Sequence, residues 1–100
     1  TDSIALLSAE RDRKSALRDS FERQLLSVGG QGEDLREELA RLDQDMARLR
    51  PPSALLEAER EKLLGRERKS DDEARSLRSK INQLQKEILV LERQIKQLSE

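Results

Sequence analysis

The side chains able to do chemistry in this sequence are almost all charged: 21 Asp and Glu against 20 Lys and Arg, with no His and no Cys. The commonest general base and the soft metal ligands are therefore missing. The carboxylates recur three or four residues from Arg or Lys, the spacing of a soluble helix surface and not of a paired acid and base. No phosphate-binding loop or nucleophile motif occurs, and the composition does not supply the core that a substrate pocket needs. No enzyme activity, cofactor or metal is expected. Two serines follow basic stretches, Arg11-Asp12-Arg13-Lys14-Ser15 and Arg66-Glu67-Arg68-Lys69-Ser70, and are candidate targets of basophilic kinases. A phosphate on Ser70 would be favoured by Lys69 and opposed by Asp71 and Asp72. The plainer reading of both stretches is a solvated charged face.

The stretch Ser27-Val28-Gly29-Gly30-Gln31-Gly32 stands out in a chain that otherwise reads as helix. Gly29-Gly30-Gln31 resembles the tripeptide of peptide-chain release factors, in which a loop presents the Gln to the peptidyl-transferase centre. The resemblance covers three residues. Glu33 and Asp34 follow at once, and ribosomal RNA would repel them. The mechanical reading is preferred: the glycines form a hinge or helix break, each costing about 1 kcal/mol relative to Ala in a helix interior. A zipper behind basic residues would suggest a bZIP protein. The residues before Leu77 are KSDDEARS, however, acidic where phosphates would be met and lacking the base-reading Asn.

The elements that must carry these residues are helices. The chain is 41% charged and 34% hydrophobic, with Phe21 its one aromatic residue. That profile suits a long helix or coiled coil, and the periodicity of the apolar residues argues against disorder. A net charge of -1 gives no overall pull toward nucleic acid or an anionic membrane. No apolar run is long enough to span a bilayer. No signal-peptide pattern is visible, and an intracellular, cytoplasmic setting is expected. A start at Thr1 without Met suggests a segment of a longer protein.

The clearest pattern is Leu77, Ile81, Leu84, Ile88, Leu91, Ile95 and Leu98, alternating in steps of four and three. This is a heptad repeat with Ile at a and Leu at d. Extended backward, the same frame collects Leu56 and Leu63, then Met46 and Leu49, then Leu35, Leu39 and Leu42, then Leu25 and Val28. Gly29 to Gly32 and Pro51-Pro52 interrupt it, since proline costs about 3 kcal/mol in a helix interior. Ser70-Asp71-Asp72-Glu73 matches a capping box. The expected helices are 3–28, 33–50 and 53–99, the last weakened near 65–71.

Three arrangements fit. Ile at a with Leu at d favours a parallel two-stranded homodimer, and this is the expected one: an all-α, elongated coiled coil with breaks near 29–32 and 51–52. The alternative is an intramolecular antiparallel hairpin with its tip at Pro51-Pro52. It would set Met46 on Leu56, Leu39 on Leu63, Leu25 on Leu77, Phe21 on Ile81, Ile4 on Leu98 and Gly32 on Ser70. Its drawback is that Arg11, Lys14 and Arg18 would face Leu91, Ile88 and Leu84. A three-helix bundle ranks last, because residues 65–76 offer only one Ala to such a core.

The expected function is structural: oligomerisation and spacing within a larger scaffold or adaptor, with the sixteen apolar a and d residues just named, Leu25 through Leu98, as the dimer interface. Long-coil proteins of the cytoskeleton, centrosome and membrane traffic are similar in composition. Partners are the chain itself and another helical protein, with no nucleic acid and no membrane insertion. Leu89 and Val90 fall outside the seam and form a candidate docking face for a partner helix; the plainer reading is scattered exposure.

Overall fold

A computed structural model describes residues 2–49 and 53–100. The chain forms two long helices, α1 (Asp2–Arg48) and α2 (Ala54–Ser99). They pack against each other as an antiparallel hairpin. The heptad frame is borne out: every a and d position except Leu49 and Leu98 is buried or half-buried. Those two exceptions lie in or just past the last turn of a helix.

The parallel two-stranded pairing is not the arrangement found. The seam is filled by the other helix of the same chain. A partner arm on the same chain is present at high effective concentration, and five residues between Arg48 and Ala54 suit a helix–helix hairpin connection. The proposed tip, Pro51-Pro52, lies outside the described residues. On either side of it, Leu49 N–H donates to the Met46 carbonyl at 3.2 Å, and Glu57 N–H donates to the Ser53 carbonyl at 3.0 Å. Ser53 thus takes the N-cap position of α2, a site Ser favours.

The break expected at 29–32 is absent: α1 is helical through Gly29, Gly30, Gln31 and Gly32. The long helix expected over 53–99 is found as α2, unbroken through 65–71, so Ser70-Asp71-Asp72-Glu73 lies inside a helix and caps none. Local propensity is a weak prior that tertiary contact overrides. Here the contact is specific. Ser70 finds its acceptor on the facing helix, not on its own backbone.

The chain divides into two units. In the first, 2–25 packs against Ser76–Glu100; the second is Leu26–Arg75. The second unit holds a cluster of Leu35, Leu39, Leu42 and Leu63, with Met46, Leu56 and Leu64 packed around it. The first is dominated by α2, whose Leu77, Ile81, Leu84, Ile88 and Leu91 are all buried. Among the described residues no side chain is fully buried, as expected where two helices alone cover each other.

Candidate interaction surface

The packing of the seam decides which surfaces remain free. In the second unit the thinnest layer is Gly32 against Ser70. The Ser70 hydroxyl donates to the Val28 carbonyl of α1 at 3.3 Å. A Cβ added at Gly32 would stand 3.3 Å from Ser70 Oγ and 3.6 Å from an Arg36 guanidinium nitrogen. Gly32 therefore permits the close approach that satisfies a buried hydroxyl. Gly29 and Gly30 have open space where a Cβ would be and contribute no such contact.

Charged residues inside the seam resolve the apparent defect of the hairpin. Lys14 keeps 26% of its side chain exposed, while its ammonium reaches Glu87 of α2 at 3.3 Å and Glu10 at 3.9 Å. Arg18 pairs with Asp19 at 3.1 Å and Glu22 at 3.9 Å, and Arg11 with Asp12 at 3.1 Å. All three are half-buried, and Leu84, Ile88 and Leu91 are buried, as expected where long stems cover apolar surface and their charged heads stay in water. The second unit uses the same device from the other helix. Arg60 reaches Asp43 of α1 at 2.8 Å, and that hydrogen bond holds the guanidinium pKa above its ordinary value. Glu67 pairs with Arg36 at 3.9 Å, and Arg36 also lies 3.7 Å from Asp71. Lys80 sits 5.4 Å from the centroid of the Phe21 ring, a cation–π contact worth about 0.5–1 kcal/mol.

The predicted interface residues thus meet within one chain. Of the sixteen, Leu25, Met46, Leu56 and Ile95 are half-buried, Leu49 and Leu98 are exposed, and the other ten are buried. Ala74, Gly32 and Ser70 are buried too. The heptad frame placed them in the seam, but a count of large apolar residues passes over them. Leu89 and Val90 are exposed, as their frame positions require.

What the seam leaves free differs between the units. Along one side of the first unit run two grooves. One, of about 520 Å³, is lined by Ser3, Leu6, Leu7, Gln94, Gln97 and Leu98. The other, of about 330 Å³, is lined by Glu10, Lys14, Gln83, Lys86, Glu87, Val90 and Leu91. In the second unit, Asp34, Glu38, Arg66, Lys69 and Glu73 border one groove, and Arg41, Asp45 and Glu59 another. Gln31 lines the first of these from within α1, so the glycine stretch offers no loop to present it. Ser70 is buried beneath the same groove. Among the described residues no group of three or more carboxylates is placed to hold a metal ion, and no helix is long and apolar enough to cross a membrane.

No protein-family model matches the chain, no curated protein matches it, and no solved structure matches it. The surface must be read from its own chemistry.

Proposed function

We propose that the chain is a structural association element: a helical hairpin that spaces and joins parts of a larger assembly by taking up helical partners on its surface. The observation that carries this reading is the set of large apolar residues left exposed on helices whose seam is already filled, Leu6, Leu26, Leu55, Leu89 and Val90 among them. Isolated exposed leucines are ordinary. Leu6 and Val90 instead border grooves between two helices, the setting in which an amphipathic helix docks. The role is non-catalytic: the charged residues of the seam are engaged in ion pairs, between the helices at Lys14–Glu87, Arg36–Glu67 and Arg60–Asp43 and within α1 at Arg11 and Arg18.

The test is to change Leu6, Leu89 and Val90 together to Asp. Circular dichroism should show unchanged helix content, because none of the three is in the seam. Association, with itself or with an amphipathic helical peptide, should be lost in sedimentation. Association that survives the triple change contradicts the proposal.

A further inference from the structure

We propose that the side of the first unit centred on Leu6, Leu17 and Val90 is the contact surface for a second copy of this chain. The two copies are related by a two-fold axis that sets α1 antiparallel to α1 and α2 antiparallel to α2. The inference rests on the association reading above and names its partner.

One stripe of α1 is complementary to its own reverse. Leu6, Glu10, Arg13 and Leu17 follow in steps of four, three and four, so they share one face of the helix. Leu6 is 72% exposed and Leu17 47%. Read in order, the stripe is apolar, acidic, basic, apolar. Turned end for end against itself, it sets Leu6 on Leu17 and Glu10 on Arg13 in a single register. An isologous two-fold makes each of these contacts twice. A parallel overlay would instead put Glu10 on Glu10 and Arg13 on Arg13, a like-charge arrangement that disfavours the wrong pairing.

The register of the hairpin supplies the second helix. Lys14 meets Glu87, so the midpoint between Glu10 and Arg13 falls at the level of Val90 on α2. Val90 is 50% exposed and would come against its own copy beside the axis. Gln83 and Gln97, one heptad to either side, would then face each other without charge. The residues bordering the grooves of the second unit form no such palindrome.

Area is also available. The chain exposes 7581 Å², against about 5,800 Å² expected for a globular monomer of its mass. A standard interface takes about 800 Å² from each partner, well within that surplus.

Sedimentation equilibrium of the full chain tests the proposal, with helix content followed by circular dichroism. A dimer is expected at about 10–100 μM. Val90→Glu and Leu17→Glu should each weaken it at least tenfold without loss of helix, and Leu55→Glu, exposed in the second unit, should leave it unchanged. Glu10→Arg alone should weaken the dimer severalfold, and adding Arg13→Glu should restore it. A dimer indifferent to Val90→Glu and Leu17→Glu, or a charge swap that fails to restore, overturns the proposal. A helical wild-type monomer overturns it too, while leaving the association reading standing for a different helical partner. A chain without helix overturns both.

Discussion

Gly32 shows how a contact on the facing helix can offset part of the cost of a glycine in a helix. It lets Ser70 reach the Val28 carbonyl, whereas Gly29 and Gly30 only weaken the helix. Gly29→Ala and Gly30→Ala should each stabilise the protein by about 0.5–1 kcal/mol, read as a rise in thermal midpoint. Gly32→Ala should gain less, because its methyl group crowds Ser70 Oγ. In a Ser70→Ala background that obstacle is gone, and Gly32→Ala should recover the full gain. An additive double-mutant cycle would contradict the coupling. Propensity marks three equivalent glycines; the heptad frame singled out Gly32 and the hairpin register set it against Ser70, but the hydrogen bond to Val28 appears only with the facing helix in place.

At the same scale, Lys14 acts mainly through its stem. Lys14→Met keeps the stem and removes the charge, and urea unfolding should show a change of under about 1 kcal/mol, the worth of exposed ion pairs. Lys14→Ala uncovers Ile88 and Leu91 and should cost more, about 1–2 kcal/mol. Lys14→Glu, set beside Glu10 and Glu87, should cost most. A loss in Lys14→Met equal to that in Lys14→Ala would show that charge, not coverage, is what matters.

Among the elements, α2 carries the apolar load of the first unit and α1 supplies the cover. Ile88→Ala should destabilise the hairpin by about 2–5 kcal/mol, the range for truncating a buried aliphatic side chain; denaturant unfolding measures it. The heptad frame was legible from end to end, because a and d spacing is set by helix geometry alone. The direction of pairing was not. Ile at a and Leu at d signal a parallel dimer, and a count of apolar residues marks Arg11, Lys14 and Arg18 as defects. Their long stems make them cover for the zipper instead. An isolated α2 peptide, freed from this cover, is expected to associate through its own zipper, with helix content that rises with concentration. Helix content independent of concentration would contradict that expectation.

For the whole molecule, the central claim is that the two helices of one chain fill each other's seams, leaving other surfaces for partners. Of the candidate surface, Leu89 and Val90 were legible as apolar residues outside the frame. The grooves beside Leu6 and Val90 were not, because they exist only once α1 and α2 are set in register. The most direct measurement is a spin-label distance within one chain. Ala9→Cys and Arg93→Cys place labels on exposed positions of α1 and α2 in the first unit, and an excess of unlabelled protein suppresses distances between chains. The hairpin predicts about 25–35 Å, two adjacent helices plus the label arms. A single continuous rod, as in a parallel dimer, would separate the same labels by about 125 Å, and the absence of the short distance would contradict the hairpin.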